Sequence, residues 1–236
     1  MRKFVDTAVC LALALIVVGA WLTAPFAVVS GSMTPTLLGP HRAFDCARCG
    51  KRNVFAVEAP VITGFRPACD DCGATGPQLD LIRIAPGDRM LVDYTTLLFR
   101  QPRRWEVVAL RLPETASRIA VKRVVGLPGE TVELRGGEVY IDGKLTPKSS
   151  AVADIRYDNV PGFPTPVQWK LAADEYFVLG DNPSISDDSR CWTFGAGVPS
   201  QLIVGKPFIV HFPSRTTSWY GRPVHVPDLA AIRYIR

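Results

Sequence analysis

The longest apolar run lies at the start of the chain. Across residues 4–24 the only polar side chains are Asp6 and Thr7 at the beginning and Thr23 near the end. At the rise of an α-helix this length spans about 31 Å, against a hydrocarbon core of about 30 Å. The pattern predicts a single transmembrane helix over 4–24, stopped by Pro25, with Trp21 at the outer interface. Arg2 and Lys3 precede it, so the positive-inside rule keeps the N-terminus cytoplasmic and places the chain beyond Pro25 outside the membrane. A cleavable signal peptide is the competing reading. Its apolar core would be about 7–15 residues, shorter than this run, although Ala24 and Ala27 offer a weak small-residue cleavage site.

Beyond Pro25 the period changes from helical to alternating. Residues 26–30 read as extended, with Phe26, Val28 and Ser30 on one face. Short strand-like runs come next at 89–94, 105–110 and 119–125, the first introduced by Gly87-Asp88 and the last ending at Gly126-Leu127-Pro128-Gly129. Runs at 131–134 and 139–141 flank Gly136-Gly137 as a hairpin, with Asp142-Gly143 as a second turn. Runs at 176–179 and 207–212 complete the series. Many short strands with Gly and Pro punctuation, and no long amphipathic helix, predict a mostly β chain with one all-β domain over 26–236.

Residues 40–79 interrupt that pattern. Here Cys46-Ala47-Arg48-Cys49-Gly50 and Cys69-Asp70-Asp71-Cys72-Gly73 form two matching knuckles, each with a glycine to relieve the tight turn. Two Cys-x-x-Cys pairs at this separation point to a small zinc-ribbon-like insertion holding a structural zinc on Cys46, Cys49, Cys69 and Cys72. Four thiolates leave no open coordination position, so the metal is not expected to be catalytic. A pair of disulfides is the alternative, since the expected topology places the segment outside the cytoplasm, but bridges within Cys-x-x-Cys are strained and reducible.

An apolar content of 47% and a charged content of 21% describe a folded protein, not a disordered one. The net charge of +5 is spread along the chain, with pairs at Arg103-Arg104 and Lys122-Arg123. A nucleic-acid binder would gather its basic residues on one stripe, so none is expected here, whereas weak attraction to anionic lipid suits a membrane-bound protein.

Candidate chemistry begins where the apolar run ends. Ser30-Gly31-Ser32-Met33-Thr34-Pro35 sets a serine at the bilayer surface as a possible nucleophile, although alone it reads as a polar turn. None of His41, His211 and His225 lies in a catalytic context, which argues against a Ser-His-Asp arrangement. A lysine serves as base only when neutral. Bringing it from about 10.4 to roughly 7–8 costs about 4 kcal/mol, a shift that apolar burial supplies. Lys122 shares a strand face with Ala120 and Val124, while Arg123 points the other way. The segment 180–190 then offers hydroxyls to orient an amine and an Asp188–Arg190 pair to brace the loop.

Together, Ser30-Gly31-Ser32-Met33-Thr34-Pro35-Thr36-Leu37, Gly87-Asp88, the run from Lys122 to Glu130 and the 180–190 loop resemble the type I signal peptidases, in the same order behind an N-terminal anchor. The resemblance implies a membrane-bound serine endopeptidase that removes signal peptides from secretory precursors. Ser32 matches the nucleophile and Lys122 the general base. Ser30 matches the hydroxyl that shares the oxyanion hole with the Ser32 N–H, and Ser186 matches the residue that orients the lysine. Asp188 and Arg190 match the supporting ion pair. Phe26, Val28, Met33, Leu37, Ala120 and Val121 match positions lining the substrate pockets, which take an extended strand with small residues first and third before the cut. The family needs no cofactor for catalysis; its partners are signal peptides and membrane lipid, and its catalytic domain stands on the outer face of the cell membrane. Pro183, Ile185, Cys191 and the cysteine-rich insertion depart from its usual pattern. An inactive, membrane-tethered zinc-ribbon adaptor on a peptidase-like scaffold is the rival from another class. Retention of Ser32, Lys122 and Ser186 together argues against it.

Overall fold

The structure is a computed structural model that describes residues 5, 9–10, 19, 22–58, 62–112, 115–157, 167–193, 195–211, 214–220 and 222–235. Most of the span expected over 4–24 lies outside the described residues, and among these no helix is long and apolar enough to cross a membrane. The described chain is mostly β. In order, its strands are β1 (Thr23–Ala27), β2 (His41–Asp45), β3 (Arg52–Ala56), β4 (Arg89–Asp93), β5 (Val107–Leu112), β6 (Thr115–Gly126), β7 (Thr131–Arg135) and β8 (Glu138–Ile141). They continue as β9 (Lys144–Leu145), β10 (Val167–Lys170), β11 (Glu175–Leu179), β12 (Val198–Pro199), β13 (Ile203–Val210), β14 (Ser214–Trp219), β15 (Arg222–Pro227) and β16 (Arg233–Tyr234).

The main antiparallel sheet runs β1-β4-β13-β5-β6-β11-β12, with β16 also paired to β13. A second sheet runs β10-β7-β8-β9, and β2–β3 and β14–β15 form separate hairpins. β5 explains how the main sheet is buried. Its Val107-Val108-Ala109-Leu110 run is apolar at every position, as a strand covered on both faces must be. Val107 and Ala109 pack with Met33, Leu37, Met90 and Val92, whereas Val108 and Leu110 pack with Val124, Tyr176, Val178 and Val198. A third cluster joins Val132, Leu134, Val139 and Ile141 of the second sheet to Phe177 and Leu179. Each such side chain contributes roughly 1.5–3 kcal/mol relative to exposure.

Boundaries differ from the sequence expectation where context overrides local pattern. β1 starts at Thr23, inside the apolar run, and carries Pro25; the sheet tolerates it because β1 is an edge strand paired only to β4. β6 extends from Thr115 to Gly126, well beyond 119–125, because β5 pairs with it as far as Leu112↔Thr115. The β14–β15 hairpin has no apolar alternation to announce it in its first strand, Ser-Arg-Thr-Thr-Ser-Trp.

A buried ion pair ties the sheet to its loops. Arg123 of β6 is fully buried, and its Nε and Nη2 donate to the two carboxylate oxygens of Asp181 at 2.7 and 2.6 Å. The register Leu179↔Arg123 brings Asp181 within reach two residues past β11. The Thr36 hydroxyl donates to the same carboxylate, and Arg123 Nη1 donates to the Trp105 carbonyl at 2.6 Å. Asp181→Ala leaves that guanidinium without its carboxylate and is expected to cost about 3–5 kcal/mol, read from urea unfolding. A loss under about 1 kcal/mol would place the pair among those that contribute little.

Candidate active site

The turn after β1 is held from both sides. Asn182 donates its backbone N–H to the Ser32 carbonyl at 2.9 Å and its side-chain amide to the Gly31 carbonyl at 3.2 Å. Thr34 N–H also reaches the Gly31 carbonyl, at 3.0 Å. Asp88 braces the flanks: its carbonyl accepts the Val28 N–H, and its carboxylate accepts the Leu38 N–H at 2.9 Å and pairs with Arg233. Within the turn the Ser30 and Ser32 hydroxyls stand 3.2 Å apart.

Lys122 reaches the same region from β6. Strand alternation turns it away from Arg123, and its cross-strand partner on the shared face is the fully buried Val108. The Lys122 amine donates to Ser186 Oγ at 3.0 Å in a buried setting. Burial pushes the amine below the ordinary 10.5, and the carboxylates of Asp188 and Asp187 act against that shift. Asp188 is otherwise engaged, accepting from Arg190 at 2.8 and 3.0 Å and from the Gly180 N–H at 3.0 Å.

Gly180 is where the loops meet. A β-carbon built on it would stand 2.1 Å from Ser186 Oγ and 2.5 Å from the Ser32 carbonyl oxygen. No larger residue fits, so the serine turn and the lysine's hydroxyl partner pack against one another across a bare backbone. The Pro183 carbonyl accepts from Arg190 Nη2 at 3.0 Å.

These groups open onto a cleft of about 430 Å³. Ser30, Ser32 and Lys122 line it, with Phe26, Val28, Met33, Ala120 and Val121 among its walls. Leu37 does not belong there. It is fully buried with Met33, Met90 and Val92, and its N–H bonds back to the Met33 carbonyl. The cleft also includes Glu58, Ile185 and Asp187, which the sequence did not single out as pocket residues. His41 is buried, its Nδ1 2.9 Å from the Gly39 carbonyl, and is structural.

In the insertion the four sulfurs of Cys46, Cys49, Cys69 and Cys72 lie within 4.8 Å of one another as free thiols. The shortest contacts cross between knuckles, Cys46–Cys72 and Cys49–Cys69, both at 3.6 Å. A tetrahedron with metal–sulfur bonds of about 2.3 Å has edges of about 3.8 Å, so the donor set fits such an ion. Gly50 and Gly73 take left-handed conformations, with φ of 73° and 69°, and donate to the Cys46 and Cys69 carbonyls. Backbone N–H groups of Cys72 and Asp71 hold the Cys69 thiol down at about 6, and those of Cys49 and Arg48 lower Cys46.

Comparison with known proteins gives a consistent answer. The family described as "Signal peptidase, peptidase S26" matches residues 82–212, a span that includes Lys122 and Ser186 and begins after Ser32. The chain is 32% identical to signal peptidase I of Leptolyngbya laminosa over 58% of its own length and 66% of that protein. It is also 32% identical to probable signal peptidase I-2 of a Synechocystis strain, over 53% and 56% of the respective chains. Signal peptidase I of Pseudomonas fluorescens is 26% identical, covering 94% of this chain and 74% of that one. The chain thus spans less than two thirds of the length of the first two relatives.

The state of the Lys122 amine is directly measurable. With ¹³Cε-labelled lysine, the resonance missing from Lys122→Met is expected to titrate below pH 10.5. Asp187→Asn removes a carboxylate that favours the ammonium form, so it is expected to move that titration lower still. A titration at or above the ordinary value would contradict the burial argument.

Proposed function

The chain belongs to the signal peptidase S26 family, and we propose that it is a membrane-bound serine endopeptidase that cleaves N-terminal signal peptides from exported precursors. The observation that carries this reading is a buried amine, hydrogen-bonded to the neutral hydroxyl of Ser186 at 3.0 Å, opening onto the cleft that Ser30 and Ser32 line.

In this mechanism neutral Lys122 takes the Ser32 proton as Oγ attacks the scissile carbonyl, and the proton passes to the departing amine as the acyl-enzyme forms. The oxyanion is received by the Ser30 hydroxyl and the Ser32 N–H. With the Gly31 carbonyl held by Asn182 and Thr34, the planar trans peptide turns the Ser32 N–H to the opposite side. One such donor contributes about 2.7–4 kcal/mol to the transition state. Lys122 then activates water to release the acyl group. Ser186 holds the amine in place, and Asp188 with Arg190 holds the loop that carries Ser186. The apolar walls from Phe26 to Met33 and at Ala120 and Val121 suit an extended peptide with small side chains beside the cut.

The apolar run over 4–24 acts as the anchor, N-terminus inward, with the β domain on the outer face of the membrane. Enzyme and precursor then share the bilayer, which raises their effective concentration near Ser32. The insertion binds one structural zinc through Cys46, Cys49, Cys69 and Cys72; such an ion contributes folding stability and no chemistry to the cleavage.

Ser32→Ala and Lys122→Ala are each expected to abolish cleavage of an Ala-x-Ala precursor in detergent while leaving the far-ultraviolet circular dichroism unchanged. Substantial residual cleavage in either would assign the chemistry elsewhere. Purified protein is expected to carry about one zinc per chain, lost in Cys46→Ser. Metal-free protein without titratable thiols at these four positions would mean disulfides instead.

A further inference from the structure

The insertion touches the proposed catalytic turn, and the peptidase mechanism above makes no use of that contact. β3 ends at Ala56, and two residues later Glu58 lines the cleft, its Oε1 accepting the Gly31 N–H at 3.1 Å. Ala56 closes on the same glycine. A β-carbon built on Gly31 would lie 2.2 Å from Ala56 Cβ and 3.1 Å from Ile185 Cδ1. Gly31 is therefore gripped between the insertion and the 180–190 loop.

The grip has a directional consequence. Glycine has the widest backbone freedom of any residue, and Gly31 connects the two serines. Its carbonyl is held by Asn182 and Thr34; its N–H is held from the insertion, by Glu58. Fixing both ends fixes the two peptide planes on either side, hence the direction of the Ser32 N–H and the backbone from which the Ser30 and Ser32 hydroxyls project. The other end of β3 is tied to the cysteine cluster: Asn53, buried to 1% exposure, donates to Cys69 Sγ at 3.6 Å and accepts the Asp70 N–H at 3.1 Å. One five-residue strand thus connects the four cysteines to the serine turn.

We propose that Glu58 is a positioning residue for the peptidase site, so that the cysteine-rich insertion is a working part of that site and not an appendage. The proposal rests on the peptidase reading. Glu58 acts as a hydrogen-bond acceptor on Gly31, so glutamine retains the function and alanine loses it.

The test measures kcat, KM and the thermal midpoint for Glu58→Ala and Glu58→Gln on an Ala-x-Ala precursor, with Ser32→Ala alongside. Glu58→Ala is expected to lower kcat roughly tenfold, in line with the loss of one hydrogen bond, with KM and thermal midpoint little changed. Glu58→Gln is expected to stay within about twofold of the parent. Parental turnover in Glu58→Ala overturns the proposal. So does an equal loss in both variants, which would assign the effect to charge, or a loss that accompanies a lowered thermal midpoint, which would assign it to folding. If Ser32→Ala still cleaves, the peptidase reading itself falls; if Ser32→Ala is dead and Glu58→Ala is normal, only the role of Glu58 falls.

Discussion

Two consecutive basic residues on β6 are buried on opposite faces of one strand, and the site depends on the difference between them. A guanidinium cannot shed its proton inside a protein, so Arg123 must have a carboxylate, and Asp181 supplies one in two-point geometry. A lysine has another way out. Lys122 has a hydroxyl as its hydrogen-bond partner, and Asp188 is held by Arg190 and the Gly180 N–H, so burial outweighs the carboxylates and lowers the pKa of the amine. Arg123 anchors, while Lys122, its pKa lowered by burial, faces the cleft. Because Thr36 also binds Asp181, the anchor that fixes β6 fixes the turn carrying Ser32 as well.

Much of this is legible in the residues. The continuous apolar run of β5, the alternation around Lys122 and the hairpin at Gly136-Gly137 obey simple periodicity, and the cysteine knuckles can be read from spacing alone. What periodicity cannot supply is partnership across the chain. Arg123 and Asp181 are 58 residues apart, and nothing local marks either as half of a buried pair. The motif position of Leu37 points to the cleft, but its side chain is fully buried with Met90 and Val92. Glu58 looks like an ordinary surface charge at a strand end until the fold brings Gly31 against it.

Three residues of the loop after β11 bear on its packing. Ile185 and Ala56 both close on Gly31, and the Pro183 carbonyl accepts from Arg190. Cys191 lies next to that arginine, its sulfur 3.5 Å from the Asp188 carbonyl. Of these, Ile185 sits where the loop and the insertion meet at Gly31. Ser186, Asp188 and Arg190 are each hydrogen-bonded within this loop or to Lys122.

The proposed mechanism turns on one buried amine, its pKa lowered by burial, acting as the base for Ser32. The pH dependence of kcat/KM on an Ala-x-Ala precursor tests it most directly, since that profile reports the free enzyme's essential base. The account requires activity to rise with pH through a single ionisation displaced well below the ordinary lysine value of 10.5, coincident with the titration of Lys122 itself. A profile that rises only in the ordinary lysine range, or at a pH where Lys122 does not titrate, would contradict it.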